Sequence, residues 1–321
     1  MKLMIIFYLL LLQIVLYKCE VTFDGLIEEL KKEMKMKKMA VAGGDNPETI
    51  EAARLAKDMK IGDSILIGNE ETIRKRAKEN NIDISDFEIV NIDDTIEITR
   101  YAVNLINEGK ADVLVKGSIQ TKDILKVLLD KEIGFKTSEL INLVSIIEIE
   151  GKLTFLTDIS IVPYPTLENK VQIINNAVKL ANAVGIKNPK VAAIAGISVS
   201  NSRMPETLEA EKLTKMNKIG EIKDCIVDGP LSLDLAISPE SAQIKHVNRR
   251  INGDADIILF PDVHAANIAY KILTHMIDSK CGSILLGTKK PVILTSRSDS
   301  TLVKVNSMIF AAVYDRLNKS K

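Results

Sequence analysis

Lys38-Met-Ala-Val-Ala-Gly-Gly-Asp-Asn-Pro47 sets the architecture. Its apolar run, 38–42, is short and strand-like, and Gly43 and Gly44 permit a tight turn. Pro47 stands at a helix start, where its missing amide costs nothing, and helical spacing continues to Met59. The unit is strand, glycine turn, helix. It recurs, with strands expected at 64–67, 87–91 and 112–115 and helices at 70–80 and 97–108. Such alternation implies right-handed crossovers and a parallel sheet covered on both faces, an α/β chain doubly wound.

Working outward, 23–36 carries apolar residues at helical spacing and reads as a packing helix. The runs 140–148 and 153–161 flank Glu150-Gly-Lys152 and read as a hairpin, with Asp158 interrupting the second as either a paired core carboxylate or a site residue. Pro163 and Pro165 break the chain before a helix at 168–184. Strands at 191–197, 226–227, 257–260 and 283–286 then repeat the pattern. At 321 residues and 46% hydrophobic content, two domains are expected.

Composition narrows the function. Lys plus Arg and Asp plus Glu both number 43, with no long one-sign block, so neither a nucleic-acid nor a membrane surface is expected. Cys19, Cys225 and Cys281 lie far apart, form no metal spacing with the three histidines, and fit a reduced compartment. Lys2 precedes an uncharged run, 3–17, right for a signal-peptide core but followed by no small-residue cleavage site. Residues 1–20 are an apolar leader or a start-site artefact ahead of a body with cytoplasmic character.

Chemistry is expected where strands end in polar loops. In an open α/β sheet, ligands bind beyond the strands' carboxyl ends, against helix amides. In Lys289-Lys-Pro-Val-Ile-Leu-Thr-Ser-Arg-Ser-Asp-Ser300, a buried strand stops abruptly at hydroxyls, one guanidinium and one carboxylate, a set suited to a small anion. Capping of the last helix by Ser298, Asp299 or Ser300 reads from the same residues. Lys116-Gly-Ser-Ile-Gln-Thr121 offers a glycine for close approach and a compact cation for phosphate, or else a structural turn with Lys116 in solvent. Ser198-Val-Ser-Asn-Ser-Arg-Met-Pro205 suggests an anion or amide cradle, unless Ser202 merely caps the following helix. Asp228-Gly-Pro230 reads as a sharp turn that puts a carboxylate at a strand end. Pro261-Asp-Val-His264 invites a general-base reading of His264, which has no identifiable partner. No Gly-x-Gly-x-x-Gly occurs, against a dinucleotide domain of the usual type.

Four of these motifs, Lys116 to Thr121, Asp228 to Asp234, Pro261 to Lys271 and Pro291 to Arg297, stand in the order and spacing of the phosphate acetyl/butyryltransferase family, which the chain resembles from about Met39 to Ala312. The loops at 199–205 and 295–300 resemble its butyryl branch. The resemblance implies reversible transfer of a short acyl group, butyryl preferred, from a coenzyme A thioester substrate to inorganic phosphate, with no bound cofactor or metal and a homo-oligomer as the assembly. It also implies two doubly wound α/β domains with a cleft between them, the isocitrate/isopropylmalate dehydrogenase-like fold: 21–155 with 287–321 as the first domain, 156–286 as the second. Ser296 and Arg297 match the family's Ser-Arg pair. Where acetyl members carry an aspartate seven residues beyond that serine, Val303 stands here, so Asp299 is the nearest carboxylate, as base or as a support for Arg297. The substrates are expected at Lys116, Gly117, Ser118, Thr121, Ser198, Ser202, Arg203, Asp228, Gly229, Pro230, Asp262 and Asn267.

Direct transfer in a ternary complex needs no covalent intermediate, which leaves Cys225 and Cys281 structural. Four other functions stay open: a phosphate acetyltransferase, a metal- and NAD-dependent hydroxy-acid dehydrogenase built on Asp228, Asp234 and Asp262, a secreted two-lobed solute-binding protein, and an acyltransferase using carrier-protein thioesters.

Overall fold

The computed structural model describes residues 21–32, 36–133, 135–137, 140–149, 151–277 and 279–318. The expected leader at 1–20, the end of the first helix at 33–35 and Glu150 of the hairpin turn lie outside them.

The first half alternates as expected: α1 (Phe23–Lys32), β1 (Lys37–Ala42), α2 (Pro47–Asp58), β2 (Gly62–Gly68), α3 (Glu70–Glu79), β3 (Glu88–Asn91), α4 (Thr95–Asn107), β4 (Val113–Lys116) and α5 (Thr121–Leu128). Asn46, Asn69 and Asp94 each accept a first-turn amide with the side chain, which fixes where α2, α3 and α4 begin. The hairpin β5 (Asn142–Ile149) and β6 (Lys152–Thr157) follows, then α6 (Leu167–Ala183), β7 (Lys190–Ile194), α7 (Pro205–Lys218) and β8 (Ile226–Leu231). The chain continues through α8 (Leu233–Ile237), α9 (Pro239–Ile244), β9 (Ile257–Leu259), α10 (Val263–Met276), β10 (Cys281–Leu286), β11 (Val292–Ile293) and α11 (Thr301–Asn318).

All strands join one sheet in the order β3-β2-β1-β4-β11-β10-β5-β6-β9-β7-β8. It is not wholly parallel. β5 pairs antiparallel with β6 and β10, and β10 pairs antiparallel with β11. For β5–β6 and β10–β11 the reason is geometric, because the links between Ile149 and Lys152 and between Leu286 and Val292 are too short for a crossover. The parallel strands β3, β2, β1, β4 and β11 therefore run opposite in sense to β6, β9, β7 and β8.

Two apolar layers cover the sheet, and alternate residues of one strand feed each. Met39 and Val41 of β1 belong to the layer that includes Val115, Phe155 and Phe310, while Ala40 and Ala42 belong to the one that includes Leu114, Ile258 and Leu285. The doubly wound α/β expectation is met. On the first layer α11 lies against the earliest elements: Phe310 meets Phe23 edge-on at 4.8 Å between centroids, and the fully buried Asp315 is held by Lys37 and Lys290.

Two local expectations fail. Asp228-Gly-Pro230 is not a turn, since β8 continues through it to Leu231, with a shift of register against β7 between Asp228 and Leu231. β8 is the sheet's edge, where proline's missing amide costs no ladder bond, and a Cβ on Gly229 would lie 2.6 Å from the Ala193 carbonyl oxygen. Asp158 lies just past β6 rather than within a strand. Its buried carboxylate accepts amides from Leu143, Ser160, Ile161 and Val162, at 2.7 to 3.2 Å, and burial pushes its carboxyl above the usual range.

Candidate active site

β4 is flanked by β1 and β11 in parallel register, with Val41 and Ile293 both opposite Val115. Three loops consequently leave the sheet side by side, beginning at Gly43, Gly117 and Thr295. The first two are interlocked: Ser118 N donates to Gly43 O at 2.9 Å and Gly117 N to Ala42 O at 2.8 Å. A Cβ on Gly117 would overlap the Gly43 carbonyl, so glycine is required for close approach of backbone. Ser118 Oγ donates to the Asp45 carboxylate.

Lys116 is buried, not solvated. Its ammonium donates to Thr295 O at 3.0 Å and Gly117 O at 3.4 Å. Burial, then the charges of Arg297 and Lys304, pull it down to about 8, against the pull of Asp299. The third loop is built around a second buried lysine. Lys304, in the first turn of α11 and 2% exposed, donates to the carbonyls of Asp299 and Ser296. Burial lowers its pKa, while Asp299 and Glu48 oppose the shift. The Asp299 carboxylate accepts Ser296 N at 2.7 Å. With its carbonyls drawn inward, the loop turns outward the Arg297 guanidinium and the Ser296 and Ser298 hydroxyls, which lie 3.0 Å apart. Thr295 Oγ1 is buried with no hydrogen-bond partner among the described residues. Capping falls to Ser300, whose hydroxyl accepts Val303 N at 3.4 Å. Thr121 is exposed at the start of α5, where Gln120 makes no side-chain cap, leaving first-turn amides open.

The remaining expected residues gather elsewhere, within β8 and past the ends of β7 and β9. Asp228 accepts Arg249 in a two-pronged pair at 2.7 and 3.3 Å, and the Arg250 amide at 2.9 Å. Arg249 also reaches Ser198 O, and Ser198 Oγ accepts Ser232 N at 2.8 Å. Gly229 and Pro230 are buried in β8. Ser202 does not cap α7, whose N-cap is Met204. Ser202 and Arg203 are exposed, and the loop is closed by Asn201 N donating to Thr207 Oγ1. Asp262 caps α10 through Ala265 N, and Asn267 donates to Ile159 O. His264 does have a partner, the Tyr164 hydroxyl at 2.9 Å. The hydrogen bonds of the described residues stay within each cluster. α10 carries the buried Tyr270, whose hydroxyl is pushed up by burial and then by the charge of Asp299.

Asp228, Asp234 and Asp262 do not converge. Asp234 is at the surface with Lys245, and among the described residues no three His, Cys, Asp or Glu side chains form a metal-ligating group. Cys225 and Cys281 are buried, which pushes their thiols up to about 11 and about 12. Sequence reasoning missed Asp45 and Lys304. Asp45 was visible behind the Gly-Gly turn, but Lys304 sits in an amphipathic helix with nothing to mark it as buried.

A Ser-Arg loop beside a buried lysine, on a doubly wound sheet, gathers positive charge suited to an anion, and the chain belongs to the phosphate acetyl/butyryltransferase family. The family model described as phosphate acetyl/butaryl transferase matches residues 22–103 and 95–312. The chain is an acyltransferase. It is 44% identical over 294 residues to the phosphate butyryltransferase of Clostridium acetobutylicum, covering 91% of this chain and 97% of that one. It is 39% identical to the phosphate acetyltransferase of Thermotoga maritima, covering 87% and 96%. A solved branched-chain phosphotransacylase from Enterococcus faecalis V583 superposes with a TM-score of 0.78 at 33% identity, covering 87% and 99%.

Proposed function

We propose that the chain moves a short acyl group, butyryl preferred, reversibly between coenzyme A and inorganic phosphate. One observation carries the placement of the chemistry: the Ser296-Arg297 loop is drawn tight over Lys116 and Lys304, its guanidinium facing outward.

In the thioester-cleaving direction, a phosphate oxygen attacks the carbonyl carbon and the resulting oxyanion collapses with loss of coenzyme A thiolate. Every species is anionic. Arg297 holds the phosphate in a fork of N–H donors and stabilises the oxyanion, while Ser296 donates to the leaving sulfur. Lys116 supplies a positive field beside the tight turn at Gly117 and Ser118, and the first-turn amides of α5, from Thr121, are open to phosphate. Asp299 shapes the loop through the Ser296 amide. Ser198, Ser202, Arg203, Asp228, Gly229, Pro230, Asp262 and Asn267 belong to the second side of the substrate cleft, between a first domain of 21–155 with 287–321 and a second of 156–286. The same reading makes the protein a cytoplasmic homo-oligomer that needs no bound cofactor; no helix among the described residues is long and apolar enough to cross a membrane.

The test is release of coenzyme A thiol from butyryl-CoA, with and without phosphate, followed by acetyl-CoA. Phosphate-dependent release favouring butyryl-CoA is expected. Release without phosphate would mean a thioesterase instead, and equal or greater use of acetyl-CoA would move the chain to the acetyl branch.

A further inference from the structure

Transfer to or from coenzyme A moves a proton, and the loop beyond Ser296 offers no free carboxylate to carry it. Val303 stands where an acid was expected. Asp299 is 7% exposed and already accepts the Ser296 amide at 2.7 Å. Asp45 and Glu48 are both half-buried near the ends of β1, β4 and β11; Glu48 accepts Asn46 Nδ2 at the start of its own helix, whereas Asp45 is tied to the loop after β4.

Its position is built. Asp45 lies two residues past Gly43, whose carbonyl accepts Ser118 N, and Ser118 Oγ donates to the Asp45 Oδ1 oxygen. The glycines at 43 and 117 let the two loops interlock: a Cβ on Gly43 would lie 2.7 Å from Ser118 Oγ. β4 alone separates the strands that lead into Asp45 and into Ser296. A further tie joins the same two sides, since Thr301 Oγ1, at the start of α11, donates to Glu51 of α2 at 2.6 Å. The other charged groups of this cluster are Glu48 on α2, Lys116 on β4, Arg297 and Asp299 on the loop after β11, and Lys304 on α11.

Resting on the acyltransferase reading above, we propose that Asp45 is a catalytic residue, the general base for the coenzyme A thiol, with Ser118 holding its carboxylate in place. In the thioester-forming direction the thiol proton passes to the free oxygen of Asp45 as the sulfur's electron pair forms the C–S bond. The C–O bond to phosphate then breaks, and the departing phosphate takes the proton from Asp45. Thioester and hydrogen phosphate result, and Asp45 returns as carboxylate. In the opposite direction Asp45 receives the phosphate proton and delivers it to the thiolate.

The experiment follows initial rates of butyryl phosphate with coenzyme A for wild type, Asp45→Asn and Asp45→Glu from pH 6 to about 9.5. Asparagine keeps the oxygen that accepts from Ser118, so the loop survives. Removal of a general base costs about 10²- to 10⁴-fold, and Asp45→Asn should show a loss of that order at pH 7 with KM for both substrates within about threefold of wild type. A thiol ionises by itself at about 8.5, so the deficit should shrink at least tenfold as pH rises past that value, and Asp45→Glu should recover part of the loss at neutral pH. A deficit that stays constant with pH would overturn the assignment and make Asp45 a structural support. Wild-type rate in Asp45→Asn would overturn it as well. Wild type that forms no butyryl-CoA at any pH would instead sink the acyltransferase reading, and this one with it.

Discussion

Lys304 Nζ donates to the backbone carbonyl of Asp299, five residues earlier in the chain, and Lys304 is itself 2% exposed. A buried ammonium bonded to main-chain oxygens holds a loop in shape from beneath. Lys304→Met removes these charge-assisted bonds, each worth about 1.5 to 3 kcal/mol, and leaves carbonyls unpaired. Thermal unfolding should move several degrees lower, and kcat should fall more than KM because Arg297 loses its aim. Lys304→Arg is the comparison, and it should recover less stability than activity because the larger head strains a packed site.

Asp299 separates a loop-forming role from an acid–base one. Asp299→Asn keeps an oxygen to accept the Ser296 amide and should cost less than about tenfold in kcat/KM. Asp299→Ala should cost about 10²-fold, with the acid limb of the pH–rate profile unmoved in both. Loss of that limb in Asp299→Asn would return the base to this residue.

Lys116 makes two pH predictions. Its folded-state value near 8 means that the cation neutralises as pH rises, so kcat/KM for phosphate should decline above about 8, and Lys116→Arg, charged throughout, should push that decline upward. Stability moves the other way. Between about 8 and the unfolded value near 10.5 the unfolded chain binds more protons than the fold, so wild type gains stability with rising pH by up to roughly 3 kcal/mol. Denaturant titrations of wild type and Lys116→Met at pH 7 and pH 10 isolate that gain.

Buried thiols pushed up to about 11 and about 12 are protonated at neutral pH and poor nucleophiles. Cys225→Ala and Cys281→Ala should each keep kcat within about threefold, and iodoacetamide at pH 7 should not inactivate the native enzyme. A folded but inactive cysteine variant would bring back an acyl-enzyme.

Asp228 is held by Arg249 with its own side chain 5% exposed. Arg249→Met strands that carboxylate, a loss of about 3 to 5 kcal/mol for a buried partner. It also frees the Ser198 carbonyl, so urea unfolding should report the loss and KM for coenzyme A should rise more than KM for phosphate.

Much of the architecture was legible because local rules and tertiary structure agree in the first half: a glycine or asparagine ends or follows each strand, and Asn46, Asn69 and Asp94 start the helices after β1, β2 and β3. The rule lapsed at Asp228-Gly-Pro230. Those residues favour a turn, yet the edge place of β8 makes the proline harmless and packing against Ala193 uses the glycine's bareness. No local signal announces an edge. The antiparallel centre was readable at the β5–β6 hairpin and missed at β10, whose neighbours are fixed by pairing over long separations. At the site, Ser296, Arg297 and Lys116 were marked by standing at strand ends. Lys304 was hidden because a lysine in an amphipathic helix ordinarily faces water, and only the carbonyls of a loop arriving from β11 supply it with partners.

The insertion of β11 between β4 and β10 bears on how the chain is made. Lys116 and Thr295, bonded in the finished molecule, are 179 residues apart, so at ~5–20 residues per second the ribosome needs roughly 10 to 40 s to deliver the second after the first. Throughout that interval the flank of β4 is an unpaired apolar strand edge, the kind that recruits other strands. Assembly of the Ser-Arg loop is thus a late event in biosynthesis, and the nascent first half is the stage at which the protein is most open to mispairing or to capture by a chaperone.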